Sequence, residues 1–150
     1  MDADIRIVPV TGDIRAEAES LSVSPEQKDF IEPVRECMAE ADEISDWEPA
    51  AVYAGDTMVG FAMYGFMRHE KEPRVWFDRL LIDSRFQHRG CGRRAAELVL
   101  GRIKKEFPGK DIYISAYEDN VTALRMYESM GFRPTGGRDI NGERIMVLRA

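Results

Sequence analysis

The segment from Gln87 to Arg93 combines residue types and spacing that indicate a chemical function. It reads Gln87-His88-Arg89-Gly90-Cys91-Gly92-Arg93, between an apolar stretch and a basic helical one. Glycine lets the backbone pass close to a ligand, and the N-terminus of a following helix offers free N–H groups to an anion. The segment therefore predicts a phosphate or pyrophosphate site, although a tight turn without a ligand can show the same spacing.

Two common phosphate-binding loops are excluded. No Gly-x-x-x-x-Gly-Lys-Ser/Thr is present, so the chain has no P-loop. The dinucleotide-binding Gly-x-Gly-x-x-Gly needs a third glycine, and Ala95 stands at that position.

Charge is divided unevenly along the chain. The total is -6, but residues 1–72 carry a net -11 and residues 73–150 a net +5. The window 13–48 alone carries a net -9. This division indicates an acidic half that faces a cation and a basic half that faces an anion, or else two solvated surfaces. The negative total argues against a nucleic-acid partner.

The elements that must position these residues follow from hydrophobic periodicity and turn signals. We predict strands at Ile5–Val10, Ala50–Tyr53, Met58–Phe66, Val75–Ile82, Ile112–Ala116, Phe132–Arg138 and Arg144–Leu148. We predict helices at Asp13–Leu21, Ser24–Glu43 (kinked or split at Pro33), Gly92–Phe107 and Val121–Met130. This order predicts an α/β fold with a mixed sheet of about seven strands and four helices, in one domain spanning residues 1–150.

Composition favours a cytoplasmic protein. The N-terminus has no basic region followed by an apolar one, and no run approaches the roughly 20 apolar residues of a membrane span. Cys37 and Cys91 form neither a CxxC pair nor a zinc pattern, so reduced thiols and no metal site are expected.

A second group of residues completes a family pattern. Asn120, Ala123, Tyr127 and Gly131-Phe132 form Asn-x-x-Ala-x-x-x-Tyr-x-x-x-Gly-Phe, downstream of Gln87-x-x-Gly90-x-Gly92. Together these resemble the acetyl-CoA motifs of the GNAT N-acetyltransferase superfamily. The resemblance implies a sheet splayed at its central parallel pair, acetyl-CoA as cosubstrate and often a homodimer.

A narrower likeness involves segments elsewhere in the chain. They are Gln27, Ile31-Glu32, Val59 to Gly65, Arg74 to Trp76, Asp78-Arg79, Ile82-Asp83 and Asn141-Gly142-Glu143. In these the chain resembles the bacterial BltD-type spermine/spermidine (diamine) acetyltransferases. That resemblance implies a small cationic amine as acceptor.

The superfamily resemblance also implies roles for the cofactor residues. The backbone of Leu80, Leu81 and Ile82 would pair with the pantetheine arm, and Asn120 would contact the same arm. The pyrophosphate would be held by the backbone amides of Gln87, His88, Arg89, Gly90, Cys91, Gly92 and Arg93.

Tyr127 and Asp78 are the expected catalytic residues. In the implied chemistry Tyr127 protonates the departing thiolate as general acid, and its alternative is a core tyrosine packed beside Phe132. A carboxylate must take a proton from the amine, since alkyl ammonium groups titrate near the lysine value of about 10.4. Asp78 is the expected base, with an ion pair to Arg79 as the alternative.

A polyamine pocket needs dispersed carboxylates and an aromatic wall for cation–π contact. We expect Glu32, Glu36, Trp47 and Asp78 to bind the acceptor. Two other functions stay open: a GNAT enzyme for another amine, such as an aminoglycoside, an amino acid or a protein N-terminus, and a CoA-binding sensor without catalysis.

Overall fold

A computed structural model describes residues 4–25 and 33–150. Its strands are β1 (Ile5–Pro9), β2 (Trp47–Ala54), β3 (Thr57–Phe66), β4 (Val75–Ile82), β5 (Ile112–Ala116), β6 (Arg133–Arg138) and β7 (Arg144–Leu148). Its α-helices are α1 (Arg15–Glu19), α2 (Val34–Glu43), α3 (Cys91–Glu106) and α4 (Val121–Ser129). A short 3₁₀ turn, Ser84–Phe86, follows β4.

The seven strands form one mixed sheet in the order β1-β2-β3-β4-β5-β7-β6. Neighbouring strands are antiparallel except β4 and β5, which are parallel. The predicted α/β fold with about seven strands is therefore confirmed. A parallel pair needs a crossover, and α3 supplies it between β4 and β5.

The central parallel pair separates almost as soon as it forms. Only Val75 and Trp76 of β4 pair with β5, opposite Ile112 and Tyr113. Of the other six residues of β4, five pair with β3 alone, and Asp78 lies at an irregularity in that register. The predicted splay is thus present, and it leaves one edge of β4 open.

Apolar side chains pack on both faces of the sheet. On one face α3 and α4 bury Val99, Ile103 and Tyr127 against Phe77 and Ile114. On the other face Val34, Cys37 and Met38 of α2 pack with Phe61 and Met63. Helices on both faces follow from strands that are apolar in both directions, such as β3.

Two predicted starts, those of α2 and β2, differ from the structure by more than two residues. α2 begins after Pro33, which lies in an extended conformation (φ -57°, ψ 148°) as the N-cap, so no helix runs through Pro33, in keeping with a split rather than a kink. A proline ring clashes with the preceding turn, which explains why the helix cannot run through it. β2 starts at Trp47 rather than Ala50, because Trp47 to Pro49 still pair with β3, with Trp47 opposite Gly65.

Candidate active site

A cleft of about 510 Å³ opens where β4 and β5 diverge. Its walls come from the end of β4, the loop into α3, the end of β5, helix α4 and the β6–β7 turn. The residues that line the cleft include Glu36, Asp78, Arg79, Leu80, Leu81, Ile82, Gln87, His88, Cys91, Gly92, Asn120, Tyr127 and Glu143. Many residues predicted from sequence are thereby brought to one place.

The open edge of β4 forms one side of the cleft. Leu80, Leu81 and Ile82 line it, and no β5 residue pairs with them. On the opposite edge β3 approaches very closely, since a Cβ at Gly60 would lie 2.4 Å from the Leu81 carbonyl oxygen. Backbone groups on the open edge need partners, so an extended chain that carries its own amides fits beside β4.

The loop before α3 ends in a helix start suited to an anion. Gly90 is the N-cap and has φ 80°, a left-handed conformation that glycine adopts without strain. The first intrahelical bond runs from the Arg94 N–H to the Gly90 carbonyl (3.2 Å). The preceding amides of Cys91 and Gly92 belong to the helix turn that has no intrahelical acceptors, and both residues line the cleft. The geometry fits the pyrophosphate of coenzyme A.

A buried carboxylate fixes this loop to the rest of the fold. Asp83 is 2% exposed and accepts bonds from the backbone N–H groups of Ser22 and Arg85 (both 3.0 Å) and from Arg85 Nε (2.8 Å). Burial opposes ionisation, but these donors outweigh it and hold the pKa of Asp83 below its usual value. Gln87 adds a bond from Nε2 to the Ile82 carbonyl (2.9 Å).

The residues of the predicted pyrophosphate loop do not all reach the cleft. Gln87, His88, Cys91 and Gly92 line it, whereas Arg89, Gly90 and Arg93 do not. Arg93 donates from Nη1 to Ser129 Oγ in α4 (2.7 Å). This bond ties the start of α3 to the end of α4.

Helix α4 brings Asn120 and Tyr127 to the same cleft. Asn120 is its N-cap and accepts a long bond (3.5 Å) from the Ala123 N–H, as predicted. Tyr127 is 9% exposed and packs edge-on against Phe77 and Phe132 (centroids 6.0 and 5.7 Å). Burial raises the pKa of Tyr127, so its hydroxyl keeps its proton at neutral pH. Tyr127 is thus both a core residue and a cleft residue.

Asp78 lies at an irregularity in β4. Met63 pairs with Arg79 and Tyr64 with Phe77, so Asp78 has no partner in the register. Such a bulge redirects side chains, and here two consecutive residues, Asp78 and Arg79, face the cleft. Arg79 Nη1 lies 2.7 Å from Asp78 Oδ2, which is the ion pair that the sequence left open as an alternative.

The acidic stretch before Trp47 is distributed over several surfaces. Glu36 lines the cleft. Glu40 Oε1 lies 3.9 Å from Arg79 Nη2, Asp42 pairs with Arg15 (2.8 Å), and Asp46 pairs with His69 (3.1 Å). Trp47 pairs with Gly65 in the sheet, packs on the α2 side and does not line the cleft. Glu32 and Gln27 lie outside the described residues.

Two charged cleft residues were not assigned to the site from sequence. Arg79 entered as a partner for Asp78 and as part of a family likeness, and Glu143 only as part of that likeness. Glu143 closes the β6–β7 turn, and the Asn141-Gly142 signal located that turn without indicating what it contacts. Burial first, then the nearby Asp139, raises the pKa of Glu143 to about 7.

Two other features are absent from the described ranges, 4–25 and 33–150. No cluster of three metal-binding side chains occurs there. No helix among those residues has the length and apolar character needed to cross a membrane. Cys37 and Cys91 are both buried and unbridged.

Comparison with known proteins identifies the family of the chain. Residues 12–132 match the family described as Acetyltransferase (GNAT) family. The chain is 37% identical, over 95% of its length and 97% of the relative's, to the spermine/spermidine N(1)-acetyltransferase of Bacillus subtilis (strain 168).

Solved structures share the fold. An acetyltransferase from Thermus thermophilus aligns with a TM-score of 0.73 at 22% identity, covering 98% of this chain and 97% of that one. A GNAT family acetyltransferase from Elizabethkingia anophelis, solved with acetyl-CoA bound, aligns with a TM-score of 0.70 at 16% identity, covering 99% of both chains. With the family match over most of the chain, the chain belongs to the GNAT acetyltransferase family and is an acetyl-CoA-dependent N-acetyltransferase.

Proposed function

We propose that the chain acetylates a primary amine of a polyamine or diamine, with spermidine and spermine as preferred acceptors. The observation that carries this proposal is the charge of the cleft beyond β4. Glu36, Asp78 and Glu143 line it together with one guanidinium among the described residues, that of Arg79, which already pairs with Asp78 and approaches Glu40. A pocket with excess carboxylates favours a flexible polycation. The named activity of the Bacillus relative supports the same acceptor.

In the proposed complex acetyl-CoA occupies the side of the cleft formed by β4, α3 and α4. The pantetheine arm pairs with the backbone of Leu80–Ile82, and Asn120 contacts it from α4. The pyrophosphate sits on the amides that begin α3, where the helix dipole and free N–H groups favour an anion. Arg89, in the loop, and Arg93, in the first turn of α3, lie outside the cleft lining.

The acetyl group then passes directly to the amine. A neutral amine attacks the thioester carbonyl, and the oxyanion is stabilised by backbone amides of the strand. The Tyr127 hydroxyl donates a proton to the leaving sulfur, for which a tyrosine that stays protonated is required. Asp78 lines the same cleft beside Arg79, where its carboxylate can attract an ammonium group.

The remaining assignments are predictions that accompany this function. A cytoplasmic location fits the use of acetyl-CoA and the two unbridged cysteines. A homodimer, no nucleic-acid partner and no metal requirement stay predictions from the sequence.

A thiol-release assay tests the proposal. Purified protein with acetyl-CoA should release free thiol when spermidine or spermine is added, and much less with an amino acid, a peptide or an aminoglycoside. No release with any polyamine, alongside release with another amine, would show a different acceptor. Stabilisation by CoA without release from any amine would indicate a binding module.

A matched pair of variants on α2 tests the role of charge. Glu36→Gln should raise the KM for spermidine about three- to tenfold, since it removes a carboxylate at short range from a cation. Glu43→Gln removes the same charge from the exposed end of the same helix, outside the cleft, and should leave the KM unchanged. Equal effects of the two variants would contradict the role of Glu36.

A further inference from the structure

Glu143 is held in place by the turn that joins β6 and β7. Asp139 Oδ1 accepts the backbone N–H groups of Asn141 and Glu143 (both 2.9 Å), and the Asp139 N–H donates to the Glu143 carbonyl (3.0 Å). The Gly142 N–H closes the turn on the Asp139 carbonyl (3.0 Å). The backbone of Glu143 is therefore fixed while its side chain reaches the cleft.

The charged groups that face Glu143 come from three elements. Asp139 belongs to its own turn, Asp78 and Arg79 come from β4, and Glu36 lines the cleft from α2. After burial, the carboxylates of Asp139 and Asp78 raise the pKa of Glu143, and Arg79 lowers it. The result, about 7, is near the value at which a general base is most effective at neutral pH.

The carboxylate of Asp78, the base expected from sequence, has a different environment from that of Glu143. Its Oδ2 lies 2.7 Å from Arg79 Nη1, and the Arg79 guanidinium also donates to the Asp78 carbonyl (3.0 Å). A carboxylate oxygen that is already engaged by a guanidinium is less available to a proton of the substrate. Asp78 is thus better suited to hold an ammonium group than to deprotonate it.

We propose that Glu143, rather than Asp78, is the general base that deprotonates the acceptor amine, while the Asp78–Arg79 pair positions the ammonium group. Glu143 enters the cleft from the β6–β7 turn, and Tyr127 enters it from α4. The acceptor nitrogen then lies between a proton acceptor and the group that protonates the leaving sulfur. This inference rests on the proposed function.

The proton balance follows from these assignments. The ammonium group loses one proton to the Glu143 carboxylate, and the free lone pair forms the C–N bond. When the C–S bond breaks, the sulfur takes the proton of Tyr127. The second proton of the attacking nitrogen restores Tyr127, and Glu143 releases its proton to solvent. One proton leaves per amide formed, as the overall reaction requires.

The pH dependence of Glu143→Gln tests the inference. The wild type should show a kcat/KM for spermidine that rises with pH and levels off above about 7, because Glu143 must be ionised. In Glu143→Gln this rise of kcat/KM with pH, the acidic limb of the profile, should disappear. The value of kcat/KM at pH 8 should fall by about 10²–10³-fold, the range for loss of a general base. An unchanged rise in thermal stability with CoA would show that the variant is folded.

Two other variants provide the controls. Glu118→Gln removes a carboxylate that pairs with Arg144 and Arg138 beside the same turn, with 59% of its side chain exposed, and should keep both the limb and the rate. Asp78→Asn should raise the KM and keep the limb, moved to lower pH because the Asp78 charge no longer raises the pKa of Glu143.

An active wild type whose acidic limb survives in Glu143→Gln would overturn the assignment of the base. Loss of the limb in Asp78→Asn instead would transfer the role to Asp78. A wild type that acetylates no amine would overturn the proposed function itself, which separates that failure from the first.

Discussion

Two regions of the molecule each combine a tyrosine with a glutamate whose pKa is raised. Only one of these regions opens into the cleft. The cleft region has Tyr127 and Glu143. The second region, the distal cluster, consists of Glu48 in β2, Tyr64 in β3 and Glu106 in α3. In both regions burial is the first cause of the raised pKa, and both Glu48 and Glu143 reach about 7.

The regions differ in what satisfies the polar groups. The Tyr64 hydroxyl donates to Glu106 Oε1 (2.6 Å) and lies 3.4 Å from Glu48 Oε1, so the distal cluster is closed upon itself. None of its three residues lines the cleft. Glu143 instead faces Arg79 and the cleft. A raised pKa therefore marks a buried carboxyl group in both places, and access to a substrate distinguishes the one suited to catalysis.

Removal of the two tyrosine hydroxyls should separate the regions most clearly. Tyr127→Phe should lower kcat by about 10²-fold or more, since the leaving sulfur loses its proton donor, with CoA binding retained. Tyr64→Phe should leave kcat within about twofold, because its hydroxyl acts inside the distal cluster. Steady-state kinetics and CoA titration of both variants measure the contrast. Unchanged turnover in Tyr127→Phe would refute its role as general acid.

The pH dependence of stability should reveal the distal cluster. Unfolded glutamate loses its proton near 4.5, whereas folded Glu48 keeps it to about 7. The folded state binds more protons in this window, so the free energy of unfolding falls as the pH rises from about 5 to 7.

Glu48→Gln should remove roughly 1 kcal/mol of that fall, after allowance for solvent screening of a partly exposed group. Urea unfolding at pH 5 and pH 8 measures it. The distal cluster would not be the source of the pH dependence if the fall in the variant matched that of the wild type.

Removal of the Arg79 guanidinium from the cleft should have a smaller effect, on the pH dependence of kcat/KM. Arg79 lowers the pKa of Glu143, so Arg79→Gln should move the acidic limb of kcat/KM to higher pH, by about half a unit to one unit for a charge near a protein surface. Glu48→Gln serves as the control, with no movement of the limb expected. A shift to lower pH in Arg79→Gln would contradict the arrangement of charges described for the cleft.

The sequence predicts the strands and helices around the cleft better than it predicts the residues expected to bind the acceptor amine. β4, β5 and β7 have the predicted bounds, because apolar runs and local turn signals determine them. The start of α3 differs by one residue, at Cys91 rather than Gly92. Asn120 and Tyr127 reach the cleft because one short helix carries both at a fixed spacing.

The placement of the acceptor residues depends on contacts between distant segments. Glu143 meets Arg79 across the sheet, and no local pattern predicts that approach. Trp47 was expected to bind the acceptor and lies in a strand outside the cleft, because the sheet extends past Pro49. The acidic residues near it find partners such as Arg15 and His69, whose positions depend on tertiary packing.

The early separation of β4 and β5 has a consequence for how the protein would be observed in a cell. In the proposed complex the missing ladder is completed by acetyl-CoA, so the amides on the open edge of β4 exchange with solvent more slowly as the supply of that metabolite rises. A ligand at a hundred times its Kd adds about 2.7 kcal/mol to the free energy of unfolding. The resistance of this enzyme to proteolysis would then vary with the acetyl supply of its host.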